Sequence, residues 1–497
     1  MNTDQTRLIE QVNADLAQGR GEAALAEIDA YLASRRPNAL VLGHRSMALK
    51  QIGRNDEALE AVHLAINQEP RAIWLHHNLA GLLGDMGRAS EAETAAREAF
   101  RLGGDAPETW LVLGRALLGQ NRIEEAEAAL RHAVQRRPQY AEALNELAQL
   151  VWMRDGDKAA AVAVFDAAIA LDGQAAMAVR TFKARMLDYL DDPTAAYQTL
   201  TSGPLDVVGH LTAAQIAMAQ APEVSVQHLK TIAKGEVGSA WPVRLTTAEC
   251  MIAIGEPARA LSVLMPMRAE KPLDQYLVAL EATALRQSGD PRYHEIYDYD
   301  RATGVDTIQA PPGWGNLPDF LSDLASTLTG LHKLKTHPVG QSLRGGSQTT
   351  APLARSDDPV IRAFFTAIDP VIRSHIERLR QAPELIRSRI TGNYDFAGSW
   401  SVWLRPNGFH ASHVHPQGWI SSAFYVDVPA VSAGDDRQGW LKFGEPPPQL
   451  CTGLPAERFV QPRPGSLALF PSYMWHGTQP FSGPDRRMTI AFDVVPA

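Results

Sequence analysis

A period of 34 residues runs through the first third of the chain and constrains its fold more than any other feature. Small residues recur at this spacing in three separate series: Ser46, Ala80, Gly114 and Ala148; Ala24, Ala58, Ala92, Ala126 and Ala160; and Ala65, Ala99, Ala133 and Ala167. Small side chains are needed where two helices cross closely and where one repeat packs on the next. The period therefore predicts an array of stacked helical hairpins.

Helix-breaking residues support this interpretation. Those between units are Pro37, Pro70, Gly104 and Pro138, and those at the turn inside a unit are Gly19, Gly53, Gly87 and Asn121. Segments such as GRNDEALEAVHLAINQEP closely resemble tetratricopeptide repeats over about residues 5–173. That resemblance implies a concave surface that binds a peptide or protein; the alternative is a spacer or a dimerisation platform.

We predict a multidomain chain with an all-α tetratricopeptide-type solenoid in front of an α+β domain. The repeats occupy residues 1–173, and less regular helical hairpins continue the solenoid over 174–295. Composition then shifts toward Gly, Pro and Trp, which indicates a second domain over 296–497, with a helical lead-in (296–387) and a β-barrel core (388–497). Its predicted strands are SWSVWL, WISSAFYVDV, GWLKFG, SLALF and RMTIAFDVV, as in a small barrel or sandwich.

Bulk properties exclude several classes of function. The net charge of −9 argues against non-specific nucleic-acid binding, which requires clustered Lys and Arg. Two cysteines provide neither a disulfide framework nor a thiolate metal site. The polar N-terminus does not look like a signal peptide, and no run of about 18 apolar residues is present. We expect a cytoplasmic protein that binds neither nucleic acid nor membrane.

Three histidines in the β-rich region suggest a metal site. His413 and His415 project to the same side of an extended segment because their spacing is two residues, and His476 follows after several further strands. Imidazole suits iron, zinc, copper and nickel, so the ligands alone do not identify the metal. The alternative is that these are ordinary surface or core histidines.

Arg487 indicates which kind of ligand the site could bind beside a metal. It begins the last predicted strand, and Thr489 lies two residues later on the same face. An arginine buried in a barrel needs an anionic partner, and a guanidinium with a nearby hydroxyl can hold the distal carboxylate of a dicarboxylate. A structural salt bridge is the alternative. We also consider Ser401 and Tyr425 as cofactor contacts.

The order of these residues resembles the double-stranded β-helix of iron(II)/2-oxoglutarate oxygenases. The phrases HVHPQGWISSAFYV, GWLKFGEP, FPSYMWHGT and RMTIAFD resemble an oxygenase group that follows tetratricopeptide repeats in bacteria. The resemblance implies Fe(II) bound by His413, His415 and His476, 2-oxoglutarate bound by Arg487, and O2 as the oxidant. It implies a 2-oxoglutarate-dependent dioxygenase of the hydroxylase type. Because a repeat array precedes this domain, we expect the substrate to be a peptide or protein side chain.

One residue departs from the family pattern. Most such oxygenases have Asp or Glu where His415 stands, so another carboxylate, Asp427 or Glu445, is a candidate to join the ligands. His410 is an alternative partner of His413. A second segment, QSLRGGSQTT, combines a Gly-Gly pair with Arg344 and Gln348, and predicts either a ligand-contacting loop or a surface turn between two helices.

Three other functions are compatible with these residues. The enzyme could oxidise a small metabolite while the repeats serve assembly. The chain could be a non-catalytic scaffold, although the complete set of His413, His415, His476 and Arg487 argues against decay of the site. The third function is that of a three-histidine dioxygenase that does not use 2-oxoglutarate and in which Arg487 binds the substrate itself.

Overall fold

The computed structural model describes residues 3–171, 173 and 175–497. These residues divide into two compact units, 1–147 and 148–497. The first unit is entirely helical, and the second contains further helices followed by two antiparallel β-sheets. This agrees with the predicted order of a helical solenoid and an α+β domain.

The first unit consists of antiparallel helical hairpins. Its helices are α1 (Thr3–Ala17), α2 (Gly21–Leu32), α3 (Ala39–Gln51), α4 (Asn55–Gln68), α5 (Ile73–Asp85), α6 (Ala89–Arg101), α7 (Pro107–Gly119) and α8 (Ile123–Arg136); α9 (Ala141–Asp155) begins here and continues into the second unit. The predicted breakers lie between these helices. Three turn residues, Gly19, Gly53 and Gly87, have φ near +70° to +80°, and Asn121 has φ of +58° at the equivalent turn.

The periodic small residues lie where the helices cross. Ala58, Ala92 and Ala126 are fully buried on the second helix of successive hairpins. On α7, a Cβ added to Gly114 would stand 2.9 Å from two atoms of Leu130 on α8. A larger side chain at this position would separate the two helices, which explains the small residue there.

The second unit begins with the less regular hairpins that the sequence predicts. Its helices are α10 (Lys158–Ala163), α11 (Asp166–Ala170), α12 (Ala176–Tyr189), α13 (Pro193–Thr201), α14 (Val207–Ala217), α15 (Pro222–Ile232), α16 (Trp241–Ala253), α17 (Pro257–Glu270), α18 (Gln275–Gln287), α19 (Tyr293–Ile296) and α20 (Tyr299–Ala302). Helices α14 to α20 share one continuous apolar core with the β-sheets, so these helices and the strands pack together within this unit.

Among the described residues, nine strands and three more α-helices follow. The strands are β1 (Gly304–Thr307), β2 (Leu343–Gln348), β3 (Tyr394–His410), β4 (Ile420–Asp427), β5 (Leu441–Phe443), β6 (Arg458–Val460), β7 (Ser466–Pro471), β8 (His476–Thr478) and β9 (Arg487–Pro496), and the helices are α21 (Leu317–Leu331), α22 (Pro359–Arg378) and α23 (Glu384–Arg387). One sheet has the order β1-β7-β4-β9-β3-β2, and the other has β6-β5-β8. All five predicted strands are present as β3, β4, β5, β7 and β9.

The segment QSLRGGSQTT is not a loop between two helices, because it forms edge strand β2 against β3. The Gly-Gly pair makes a bulge in this strand: Gly345 has φ of +71°, and a Cβ on Gly346 would lie 2.4 Å from the carbonyl oxygen of Trp403. Arg344 is not free for a ligand, since its Nη1 donates to the hydroxyl of Tyr189 and to the carbonyls of Gln341 and Leu343.

Candidate metal centre

A cavity of about 430 Å³ opens between the two sheets. Strand β9 supplies one wall with every second residue, namely Arg487, Thr489, Ala491 and Asp493. Neighbouring β3 contributes Trp400 and Val402, which pair with Ala491 and Thr489. Directly paired residues share a face of the sheet, so the alternation of these strands determines which side chains reach the cavity.

His413, His415 and His476 converge in this cavity. The backbones of His413 and His476 are joined by two hydrogen bonds of 2.9 and 3.0 Å, which form a short antiparallel bridge. The amide of His415 donates to the carbonyl of Ser472 at 3.0 Å. These bonds hold the HVH segment against the chain that leads into β8 and fix all three rings relative to one another.

Each ring has an acceptor behind its Nδ1 atom. Nδ1 of His413 lies 2.9 Å from the carbonyl oxygen of Ala411, and Nδ1 of His476 lies 2.9 Å from that of Met474. A carbonyl only accepts, so these Nδ1 atoms carry the proton and the Nε2 atoms carry a lone pair. For His415 the acceptor is a carboxylate, because Nδ1 lies 2.5 Å from Oδ1 of Asp493.

The three histidines have one ligand atom each within 4.8 Å of one another, and Nε2 of His413 lies only 3.1 Å from Nε2 of His415. Two lone pairs facing each other at this distance repel unless a cation lies between them. Burial, and next the neighbouring His415, lower the pKa of His413 to about 3, and burial also holds the pKa of His476 well below its usual range. Neutral imidazoles with converging lone pairs fit a divalent metal ion.

Arg487 lines the same cavity, and no acidic residue in the described part of the chain pairs with it. Its side chain is 2% exposed, and within the described chain its Nε and Nη1 atoms find no hydrogen-bond acceptor. The guanidinium carbon lies 5.2 Å from the ring centroid of Tyr425. Burial lowers the pKa of Arg487 from its usual value. An unpaired buried cation is costly, so the site has the donor chemistry to bind a carboxylate.

The other predicted cofactor contacts fall on different sides of the sheet. Thr489 lines the cavity two residues after Arg487. Tyr425 pairs with Thr489 in the sheet and its ring packs against Arg487, but it is not among the residues that line the cavity. Ser401 is not brought to the cavity: it lies between the cavity-lining Trp400 and Val402, on the opposite face of β3, and its hydroxyl is 3.0 Å from Nε2 of His332.

The acidic residues considered as alternative ligands lie elsewhere. Asp427 pairs with Arg486 at 3.0 Å, and Glu445 pairs with Lys442 at 2.6 Å. His410 lines the cavity but contacts the hydroxyl of Ser342 through Nδ1 at 2.9 Å. The carboxylate that does reach the histidines is Asp493, behind His415. Its even spacing from Arg487 and Thr489 on one strand was the sequence signal that could have identified it.

Two family models match parts of this chain. The family model described as "Putative 2OG-Fe(II) oxygenase" matches residues 398–493, and the model described as "Tetratricopeptide repeat" matches residues 77–139 and 111–176. The chain carries tetratricopeptide repeats and a C-terminal domain of the 2-oxoglutarate/iron(II) oxygenase type. The oxygenase match includes all three histidines and Arg487.

Several solved structures are similar to part of this chain. One is a tetratricopeptide repeat protein from Parabacteroides merdae, with 16% identity, 50% of this chain and 100% of that chain covered, and a TM-score of 0.34. Another is MamA from Desulfovibrio magneticus RS-1, with 17% identity, coverage of 34% and 96%, and a TM-score of 0.30. The first repeat domain of Spaghetti (RPAP3), solved bound to an HSP90 peptide, has 24% identity, coverage of 22% and 89%, and a TM-score of 0.22.

The search of curated proteins gives no significant match. Across the described residues, no helix is both long and apolar enough to cross a membrane.

Proposed function

We propose that the C-terminal domain is an Fe(II)- and 2-oxoglutarate-dependent oxygenase, with His413, His415 and His476 as the iron ligands and Arg487 as the anchor of the co-substrate. The observation that carries this proposal is the coexistence, in one cavity, of three converging imidazole lone pairs and a buried guanidinium without an acidic partner. When bound, iron and 2-oxoglutarate supply the means by which O2 oxidises a substrate C–H bond.

The residues of the chain have distinct roles in this proposal. The backbone carbonyls of Ala411 and Met474 and the carboxylate of Asp493 orient the three rings through their Nδ1 atoms. Arg487, with the hydroxyl of Thr489 beside it on β9, binds the distal carboxylate of the co-substrate and fixes its orientation. Trp400, Val402 and Phe470 provide apolar wall around the ligands and limit the entry of water.

We propose further that the substrate is a peptide or protein, recruited by the repeats and hydroxylated on a side chain. The first unit contains a cavity of about 700 Å³ lined by the first helices of successive hairpins. Its polar residues include Lys50, Gln51, His77 and Asn78, and Nδ2 of Asn78 is buried without an acceptor among the described residues. A side-chain amide of this kind is suited to the carbonyl groups of an extended peptide.

The cofactor assignment is tested by anaerobic titration with Fe(II) and 2-oxoglutarate, following the visible charge-transfer band of the chelate. Arg487→Gln is expected to weaken 2-oxoglutarate binding by about 100-fold or more, since charge-assisted bidentate bonds are lost. Arg486→Gln is the matched control, because Arg486 is the adjacent arginine and pairs with Asp427 outside the cavity. It should leave the affinity unchanged.

A second outcome would favour a different enzyme class. If wild-type protein binds iron tightly but forms no band with 2-oxoglutarate, the co-substrate assignment fails. A three-histidine dioxygenase, in which Arg487 binds an acidic substrate directly, would then account for the cavity. If iron does not bind at all, the proposed metal centre is wrong and the scaffold function becomes the better explanation.

Substrate recruitment is tested separately on the full-length chain. Peptides captured from a displayed library should be released when Asn78→Asp places a carboxylate in the repeat cavity, because it repels the peptide carbonyls. The chelate band should not change in this variant. Equal capture by wild type and Asn78→Asp would contradict binding in this cavity.

A further inference from the structure

Ser342 lies beside the three histidines without being one of the proposed ligands. Its hydroxyl oxygen is 3.2 Å from Nε2 of His413, the atom that faces the other rings, and 2.9 Å from Nδ1 of His410. Its backbone carbonyl accepts a 2.8 Å hydrogen bond from the amide of Ala411, two residues before His413. Backbone and side chain together hold the hydroxyl next to the proposed metal position.

The direction of these hydrogen bonds depends on whether a metal is bound. The Nδ1 proton of His413 is committed to the carbonyl of Ala411, so Nε2 can only accept, and the Ser342 hydroxyl is its donor. A metal ion that takes the Nε2 lone pair removes this acceptor. The Ser342 hydrogen then needs a new one, while His410 still holds the hydroxyl oxygen from the other side.

We infer that Ser342 is a further residue of the metal site, whose hydroxyl donates a hydrogen bond to the small ligand in the open position of the metal. The expected ligand is a small anion or an oxygen-bearing molecule that has a lone pair available to accept this hydrogen bond. This inference rests on the metal centre of the proposed function but not on the identity of the co-substrate. His410, the last residue of β3, is a positioning residue because it holds the Ser342 hydroxyl in place.

Hydrogen bonds from Tyr189, on helix α12, and from Arg344 hold the segment that carries Ser342 in place. The carbonyl of Gln341, the preceding residue, accepts hydrogen bonds from the hydroxyl of Tyr189 at 3.0 Å and from Nη1 of Arg344 at 2.8 Å. The guanidinium of Arg344 also stacks over the Tyr189 ring, 4.4 Å from its centroid. Tyr189 is the last residue of α12, so a helical hairpin determines where this cavity wall lies.

The test uses the full chain loaded with Co(II), with azide as the probe of the open position. Cobalt binding is followed by its visible d–d absorption, and azide binding by the change in that spectrum. For Ser342→Ala we expect cobalt affinity within about twofold of wild type and azide affinity about tenfold or more weaker, because one hydrogen bond to a charged ligand is lost.

Ser347→Ala is the matched control. Like Ser342, Ser347 has its hydroxyl 2.9 Å from a histidine Nδ1, in this case that of His332. Ser347 is buried whereas Ser342 is half-buried, and Ser347 does not line the cavity. This variant should bind azide like wild type. Thermal unfolding of both variants separates a local effect from loss of the fold.

The outcomes distinguish this inference from the proposed function. Equal azide affinity in wild type and Ser342→Ala, or azide loss of the same size in Ser347→Ala, overturns the role of Ser342. Loss of cobalt itself in Ser342→Ala also overturns it, since Ser342 would then be a ligand. If cobalt and azide bind as expected but 2-oxoglutarate does not, the co-substrate assignment alone fails.

Discussion

The carboxylate of Asp493 lies 2.5 Å from Nδ1 of His415, although 78 residues separate them in the sequence. The same oxygen accepts a 2.7 Å hydrogen bond from the hydroxyl of Ser421, which fixes the carboxylate on the face of β9. Most oxygenases that resemble this domain have a carboxylate as the second ligand, where this chain has His415. Here a carboxylate lies behind the imidazole of His415, hydrogen-bonded to its Nδ1 atom, while the Nε2 atom on the other side of the ring faces His413.

This relationship predicts the effect of neutralising Asp493. Asp493→Asn should weaken iron or cobalt binding by roughly 10- to 100-fold, because the imidazole loses the charge that orients it and increases its basicity. Metal titration followed by visible absorption provides the measurement. Asp427→Asn, which changes a carboxylate paired with Arg486 outside the cavity, should bind metal like wild type. Equal affinity in both variants would contradict the role of Asp493.

The ligand set predicts different effects for two histidines of the same cavity. His476→Ala should reduce metal affinity by more than about 100-fold, since loss of a ligand costs more than loss of an orienting neighbour. His410→Ala should change it by no more than about twofold, because His410 contacts Ser342 and is outside the converging set. Metal content after dialysis against the free ion distinguishes the two variants. Loss of metal from His410→Ala would instead make His410 a ligand.

The hydrogen bond from Tyr189 to the carbonyl of Gln341 predicts that this helix residue affects ligand binding in the cavity. Tyr189→Phe retains the ring under Arg344 but removes the hydroxyl that donates to the Gln341 carbonyl. Azide affinity of the cobalt protein should fall about two- to fivefold, the range expected for one neutral hydrogen bond acting through position. Cobalt affinity should not change. Tyr197→Phe, which removes a hydroxyl bonded to His228, is the control and should have no effect.

His375 predicts a dependence of stability on pH. Burial, followed by the neighbouring Arg378, lowers the pKa of His375 to about 3, and its Nε2 has no partner among the described residues. In the unfolded chain this ring is protonated below about pH 6.5, whereas in the folded chain it remains neutral. The buried neutral ring of His375 therefore does not reduce the free energy of unfolding above pH 6.5. As pH falls from 6.5 toward 3, the free energy of unfolding decreases by about 1.4 kcal/mol for each pH unit.

Replacing this residue should reduce that dependence. Urea unfolding of wild type and His375→Leu at pH 7, 6 and 5, followed by tryptophan fluorescence, measures the free energy of unfolding. The loss on acidification should be smaller in His375→Leu by about 1.4 kcal/mol per pH unit below pH 6. His294→Leu, at an exposed histidine, should follow the wild-type profile. Parallel profiles for wild type and His375→Leu would exclude His375 as the titrating group.

Much of the architecture follows from local sequence patterns. The 34-residue period places Ala92, Ala126 and Gly114 at helix crossings because a hairpin of fixed length repeats its contacts at a fixed interval. The spacing of His413 and His415 places both rings on one side because side chains alternate along an extended chain. In each case the interacting residues are near one another in sequence, or repeat at one interval.

Tertiary structure decides what no local pattern specifies. Ser401 was expected at the cofactor, but the register of β3 against β9 turns it away and brings Trp400 and Val402 to the cavity. Asp493 and Ser342 reach the histidines from strands and loops more than 70 residues distant, through pairing that depends on the whole sheet. Sequence alone therefore determined the repeats, the strands and the set of histidines. Their partners were decided by strand register and chain packing, because contacts between distant segments depend on how the complete domain folds.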